Sequence, residues 1–278
     1  MGWQVLPVTH PASNRPFDWA GMLVLGVMLA SLAYGLNQID TQNFFGSVAS
    51  LSVWPFLLIG IVLLFVFPRI EKKADDPILN LNLFKSRQTV IASMLSAGAG
   101  LGESGMVFIP ALAVAAMPAI INEHNASYLL MPVVLAMAVG SPLVGRLLDT
   151  FGSKVMVFAG TFLLAIGMIM LSNSNLISML WGFIASAAVI GLGLSSLLGA
   201  PMRYIMLNEA SVADRTSAQG LITLFTSVGQ LTSSALIGAV AASMGGGVKG
   251  YGTAYLVIGI IAGIMLSLIH ISEPTRPY

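Results

Sequence analysis

The sequence contains no cysteine, and only 8% of its 278 residues are charged. Without cysteine there can be no disulfide, no thiolate metal site and no cysteine nucleophile. About a quarter of the residues in a soluble domain are charged, so this chain has too few charges to cover the surface of a soluble globule. Its formal net charge of +1 is also too small to attract a highly charged partner. These shortages exclude an ordinary cytosolic enzyme, a nucleic-acid-binding protein and a disordered chain.

Hydrophobic residues make up 56% of the chain and are gathered in long uninterrupted stretches. A helix that crosses a membrane needs about 20 mostly apolar residues. The stretches do not alternate apolar and polar residues, as the strands of a membrane β-barrel do, and in lipid such a segment satisfies its backbone only as a helix. The sequence therefore predicts an all-α polytopic membrane protein with eight transmembrane helices, at residues 19–36, 51–67, 89–117, 128–147, 155–171, 177–200, 218–242 and 251–270.

The basic residues fall on alternate sides of these predicted helices. Eleven of the 12 Lys and Arg lie at the chain ends or in the second, fourth and sixth connections, and only Lys249 lies in another connection. Basic residues are retained on the cytoplasmic side of a membrane. The pattern predicts an integral protein of the cell (plasma or inner) membrane with both ends in the cytoplasm.

Composition divides the chain into four segments. Residues 1–70 comprise a cytoplasmic N-terminal segment and two helices, residues 71–88 form a charged cytoplasmic linker, and residues 89–265 contain the other six helices. Residues 266–278 follow none of the patterns of the chain and resemble a translated sequencing adapter. We predict that they are an artefactual tail and exclude them from function.

Two polar residues inside the predicted helices are candidate site residues. Glu103 is the acidic residue that lies well inside an apolar helix. A charge at the bilayer centre costs about 2.5–3.5 kcal/mol, so such a residue usually faces a cavity or the interior of a bundle. It is either a proton or cation site in a translocation path or a structural hydrogen-bonding acid. Gln230 is the bulkiest polar group of the seventh helix and either lines a water-filled path or bonds a neighbouring helix.

Other small and polar residues predict packing rather than chemistry. Gly98 and Gly102 form a G-x-x-x-G pair, which permits close approach of helices. The three histidines are far apart in the sequence and show no metal-ligand spacing. The sequence therefore predicts no metal site, no cofactor, no catalytic residue and no enzymatic activity.

The connection between the fourth and fifth predicted helices reads GRLLDTFGSK over residues 145–154. It begins with Gly145, and Gly152 allows a backbone conformation that is closed to other residues. Asp149 is able to accept hydrogen bonds from free amides at a helix start or to pair with a cation. Arg146 and Lys154 are basic, and basic residues are retained on the cytoplasmic side of the membrane. The pattern predicts a tight cytoplasmic turn between two helices.

This turn resembles the signature of the major facilitator superfamily, G-x-L-x-D-[RK]-x-G-[RK]-[RK]. It matches at Gly145, Leu147, Asp149, Gly152 and Lys154 and departs from the signature at Thr150 and Ser153, where basic residues are expected. In the family, a degraded copy of the signature lies in the C-terminal half, after the second helix of that half. The turn lies in that place if residues 89–265 form the C-terminal half. The resemblance then implies a cytoplasmic gating loop.

Further segments resemble the fourteen-helix drug:proton antiporter branch of this family, at residues 17–21, 71–87, 130–145 and 208–220. The resemblance implies that the chain is the C-terminal part of a transporter. Two extra helices would precede a six-helix half-bundle built as a 3+3 inverted repeat. Its implied partners are the lipid bilayer, protons, a small-molecule substrate and an N-terminal half-bundle.

Three functions stay open at this point. The first is proton-coupled efflux of small amphipathic or cationic compounds by alternating access, with Glu103 and Gln230 at the central cavity. The second is a uniporter or nutrient importer on the same scaffold, because a fold does not fix a function. The third is a membrane protein that scaffolds partners without transporting anything.

Overall fold

The computed structural model describes residues 18–40, 44–74 and 77–271, and its regular elements over these residues are all helical. The prediction of an all-α protein is therefore confirmed. Seven helical segments of the described chain are long and apolar enough to cross a membrane. The α-helices are α1 (Trp19–Asn37), α2 (Phe44–Val48), α3 (Trp54–Glu71), α4 (Arg87–Gly105), α5 (Ile109–Ala116), α6 (Met131–Ser172), α7 (Ser174–Ile177), α8 (Leu180–Leu197), α9 (Ala200–Glu209), α10 (Arg215–Ser243) and α11 (Gly247–Ile271).

The fourth predicted helix from residue 131 onward and the whole fifth predicted helix lie in α6. This helix has 42 residues and is interrupted at Gly152, where φ is 79° and ψ is 163°. Before this break, Gly140 packs against Ser195 of α8. After it, Gly160 packs against Ser196 and Gly167 packs against Ile190. The second arm of α6 therefore runs antiparallel to α8.

The first arm of α6 runs in the opposite direction to the second. Val133 lies against Gly191, and Gly140 lies against Ser195 further along both chains. The first arm is therefore parallel to α8, and the chain folds back at Gly152. The number of membrane crossings stays a prediction.

Two of the predicted helix boundaries are wrong. The second helix was expected to end before Pro68, but α3 continues through Pro68 and Arg69 to Glu71. A proline costs one helix hydrogen bond and does not end the helix here. Arg203 was expected in a connection but lies on α9, which follows α8 after a short break at Gly199.

The buried side chains form two clusters. The larger one lies among α4, α6, α8 and α11 and includes Leu164, Phe183 and Tyr255, all of which are fully buried. The smaller one includes Phe67 from the end of α3 and Leu79 from the linker, which pack with Leu221 of α10. The linker is thus part of the packed structure at that end of the bundle.

Polar contacts fix the linker to the start of α10 and the end of α9. The Asn80 side chain donates a hydrogen bond to Asp214 at 2.8 Å, and the Ser217 hydroxyl donates to the Ile78 carbonyl at 2.9 Å. Ser86 donates to Glu209. These contacts join segments that are far apart in the sequence and place the basic linker beside α9 and α10.

The α6 break lies at the same end as the linker. Ser153 and Lys154 line a cavity of about 260 Å³ with Gln88 near the start of α4 and Ile205 of α9. Lys249 lines a different cavity with Ser172 at the far end of the second α6 arm. The described basic segments therefore gather at one end of the bundle, as the alternation of basic residues predicts.

Gly152→Ala is expected to lower the free energy of unfolding by about 1–3 kcal/mol, because a φ of 79° with a ψ of 163° is open essentially to glycine alone. Gly145→Ala is the matched control, since Gly145 lies in a helical part of the same motif. A methyl group at either position would meet no atom within 4 Å. Thermal unfolding of the two variants in detergent measures the difference, and equal losses of stability would contradict the role given to the Gly152 backbone.

Candidate functional site

The site is positioned by a close crossing of α4 and α10. A methyl group on Gly100 would collide with the carbonyl oxygen of Thr226, and one on Gly229 would collide with that of Ala97. The two backbones approach this closely only because neither glycine has a side chain. The crossing therefore depends on a glycine from each helix.

Hydrogen bonds between serines and their neighbours extend this crossing along both helices. The Ser233 hydroxyl donates to the Leu101 carbonyl at 2.8 Å in a buried position. Ser104 and Ser234 share a hydrogen bond of 2.7 Å. The residue numbers of the contacting pairs increase together along the two helices, so α4 and α10 run parallel.

The helix that carries Glu103 is interrupted one turn later. α4 ends at Gly105, a 3₁₀ turn follows over Met106–Phe108, and α5 begins at Ile109. The Ile109 amide donates to Met106, and the buried Tyr255 hydroxyl donates to the Gly105 carbonyl at 2.7 Å. A 3₁₀ segment within a long helix often marks a functional hinge.

Glu103 and Gln230 line the same cavity, which has a volume of about 390 Å³. Both side chains are half-buried. The other described lining residues are Ser104 of α4, Met106 and Val107 of the 3₁₀ turn that follows it, Leu130 just before α6, and Val134 of α6. The structure thus brings together the two residues that the sequence singled out from separate helices.

This cavity has the composition of a small-molecule site. Such sites are mostly apolar with a few polar groups that orient the ligand. Glu103 supplies one carboxyl group that is able to bind a proton or a cation, and Gln230 supplies an amide that both donates and accepts hydrogen bonds. No basic side chain is among the described residues that line the cavity.

A larger cavity, of about 570 Å³, lies between α1 and α10. Its polar groups include Tyr34, Asn37 and Ser234, and none of the described residues that line it carries a carboxylate. The Ser104–Ser234 hydrogen bond joins a residue of this cavity to a residue of the Glu103 cavity. We place the candidate site in the smaller cavity, because that is where the carboxyl group lies.

The predicted gating loop does not form part of this cavity. Arg146, Asp149 and Lys154 are exposed around the α6 break, and Gly145 lies in the helix before it. Gly152 has the positive φ that the turn was expected to require. The hydrogen-bonding role expected for Asp149 stays a prediction, as does the gating role of the loop.

Sequence reasoning missed three features of the site. The G-x-x-x-G pair does not make the helix crossing, because Gly98 faces Met265 and Gly102 faces Leu164. The crossing uses Gly100, which lies between them. The Ser104–Ser234 and Tyr255–Gly105 hydrogen bonds join distant segments and leave no signal in a single sequence.

The fold and the cavity together define a class, an all-helical membrane protein with a carboxyl and an amide group in a cavity between its helices. Among the described residues, no group of three His, Asp or Glu side chains is placed to hold a metal ion. The model of the Major Facilitator Superfamily matches residues 101–278, which is more than half of the chain. The chain therefore belongs to the Major Facilitator Superfamily, whose members are transporters and not enzymes.

Several relatives are similar along most of this chain. The MFS-type transporter YfiU of Bacillus subtilis is 26% identical over 228 residues, which cover 80% of this chain and 42% of YfiU. The multidrug transporter MdtP of the same organism is 26% identical over 231 residues, 81% of this chain and 40% of MdtP. The quinolone resistance protein NorB of Staphylococcus aureus is 28% identical over 235 residues, 82% of this chain and 48% of NorB. The chain thus spans less than half the length of each of these relatives.

Proposed function

We propose that the chain is the C-terminal part of a drug:proton antiporter that exports small amphipathic or cationic compounds. The observation that carries this proposal is the shared cavity of Glu103 and Gln230. A single carboxyl group in an otherwise largely apolar cavity is able to exchange a proton for a cationic compound. The relatives named as a multidrug transporter and a quinolone resistance protein support drugs as the substrate class.

Helix directions support eight membrane crossings. α4 and α10 run parallel, with Ala97 beside Gly229 and Leu101 bonded to Ser233. Two parallel crossings must be separated by an odd number of others. α8 supplies one, and the two opposed arms of α6 supply two more. With α1, α3 and α11, the chain then crosses the membrane eight times.

The six crossings after the linker are proposed to form two inverted triplets. The first triplet comprises α4–α5 and the two arms of α6, and the second comprises α8–α9, α10 and α11. α1 and α3 are the two extra helices that precede this half-bundle. An N-terminal half-bundle outside this chain would supply the opposite wall of the cavity.

Transport would follow from alternating access between the two half-bundles. On the outer side, a proton neutralises Glu103 and releases a bound cation. On the cytoplasmic side, Glu103 loses this proton and the ionised carboxylate binds the next cation, which Gln230 helps to orient. The 3₁₀ turn after Gly105 gives a point at which α4 and α5 can move relative to each other. The energy comes from protons that enter the cell down their gradient.

The proposed orientation places the basic end of the bundle in the cytoplasm of the plasma or inner membrane. The linker, α9 and the α6 break meet at that end. Retention of basic residues on the cytoplasmic side gives the orientation. Both ends of the chain are then cytoplasmic.

Transport by the complete protein in proteoliposomes tests the proposal. The probe is ethidium, a fluorescent lipophilic cation, and the pH gradient is imposed in either direction. An antiporter accumulates ethidium against its gradient only when protons flow the opposite way. A uniporter moves the probe equally under both gradients, a proton-driven importer moves it in the same direction as the protons, and a scaffold leaves it in place. Any of these three results would overturn the proposal.

A further inference from the structure

Two carboxyl groups meet where α1 and α3 come together at the linker. Asp18 caps the start of α1, and its Oδ1 accepts a hydrogen bond from the Gly21 amide at 2.8 Å. Glu71 is the last residue of α3, and its Oε2 accepts from the Leu79 amide at 3.4 Å. Each carboxyl group therefore uses one of its oxygens to accept a backbone N–H.

The second oxygen of each group, Asp18 Oδ2 and Glu71 Oε1, is buried and accepts no hydrogen bond within the described part of the chain. Glu71 is only 2% exposed. Leaving a buried polar group without a hydrogen-bond partner destabilises the fold, and more so when the group is charged. The missing donors of these two buried carboxyl oxygens therefore need one explanation that covers both.

Gly21 brings these two oxygens together. A methyl group on Gly21 would collide with Asp18 Oδ2 and would lie 3.0 Å from Glu71 Oε1. Both oxygens thus face the same small space beside the Gly21 backbone. With both groups ionised, two like charges would share this space without a donor between them.

Among the residues that the structure describes, no basic side chain fills the gap. The charged residues on the adjoining segments include Lys72 and Lys73, both exposed after the end of α3, and Lys85, Asp214 and Arg215, in the linker and at the start of α10. Within the described chain, none of these donates a hydrogen bond to Asp18 Oδ2 or Glu71 Oε1.

We propose that Asp18 and Glu71 form a proton-binding site in which one proton is shared between Asp18 Oδ2 and Glu71 Oε1. A single proton supplies the missing donor to both oxygens and removes one of the two negative charges. The backbone bonds from Gly21 and Leu79 stay in place. Because Leu79 is also buried in the smaller core cluster, the proton would connect α1, α3 and the linker.

A bound metal cation fits these residues less well than a proton. Cations such as Ca²⁺ take six to eight oxygen ligands, whereas two carboxyl oxygens are unpaired here. The site is also separate from Glu103, which lies on α4 in another cavity. The inference therefore does not depend on the proposed transport function.

Infrared spectroscopy of the full purified chain in detergent tests the site. At about pH 8, exposed carboxyl groups are ionised and give no carboxylic-acid band. We expect the unsubstituted chain to keep such a band, and Asp18→Asn and Glu71→Gln each to remove it. Asparagine is also a good helix cap, so Asp18→Asn is expected to fold. Glu103→Gln is the matched control and should leave this component of the band in place.

Gly21→Ala tests the geometry without removing a carboxyl group. Its methyl group displaces the end of the Asp18 side chain, so the band is expected to disappear although both acids remain. Survival of the band in Asp18→Asn, in Glu71→Gln or in Gly21→Ala would overturn the shared proton.

Thermal unfolding at several pH values provides the second measurement. A folded chain that binds a proton released on unfolding loses stability as the pH rises. We expect this loss in the unsubstituted chain and its reduction in Glu71→Gln, whose amide is able to donate permanently to Asp18. A midpoint that depends on Na⁺ or Ca²⁺ instead of pH would show a cation site and contradict the proposal.

Discussion

Glu103→Gln in the complete protein is expected to abolish ethidium accumulation driven by a pH gradient while the protein still folds. Glutamine has nearly the same shape as glutamic acid, so the cavity of about 390 Å³ keeps its form. It cannot release a proton or become negatively charged, so the exchange of a proton for a cation is lost. Transport in proteoliposomes with opposite pH gradients measures the effect.

Glu123→Gln is the matched control for this prediction. Glu123 is an exposed carboxylate in the connection before α6, so it undergoes the same chemical change outside the cavity. We expect it to transport like the unsubstituted protein. Unchanged gradient-driven transport in Glu103→Gln at every pH would remove Glu103 from the mechanism, whereas loss of transport in both variants would indicate a general effect on the fold.

The candidate site could be predicted in part because its two polar residues lie within otherwise apolar helices. Glu103 is an acid within an apolar helix, and Gln230 is a large amide in another. Such residues are costly in lipid unless they face a cavity or another helix. That reasoning gives the residues but not their distance, and the structure adds that they line one cavity.

The fold could be predicted to a similar extent. Apolar length predicts the helices and glycine predicts the turn at Gly152, because both are properties of single segments. The Glu71 carboxyl group at the end of α3 accepts a hydrogen bond from the Leu79 amide of the linker, and the approach of Asp18 and Glu71 beside Gly21 depends on how α1 packs against α3. A single sequence contains no signal for contacts between distant segments, so these features appear only in the folded structure.

Gly100→Ala is expected to destabilise the protein by about 1–3 kcal/mol or more, as overpacking of a close-packed interior does. Its methyl group would collide with the Thr226 carbonyl oxygen. A backbone atom cannot turn away as a side chain can, so α4 and α10 must separate. Separation would also move Glu103 away from Gln230, so transport should fall together with stability.

Gly98→Ala is the matched control on the same helix. Its methyl group would meet the end of the Met265 side chain, and methionine is flexible enough to move aside. We therefore expect near-normal thermal unfolding and transport from Gly98→Ala, and a loss of both from Gly100→Ala and from the reciprocal Gly229→Ala. Ala97→Gly should not rescue Gly229→Ala, because the collision is with the Ala97 carbonyl and not with its side chain. Rescue by Ala97→Gly, or equal stability of Gly98→Ala and Gly100→Ala, would mean that the α4–α10 crossing is not held by contact between the two backbones.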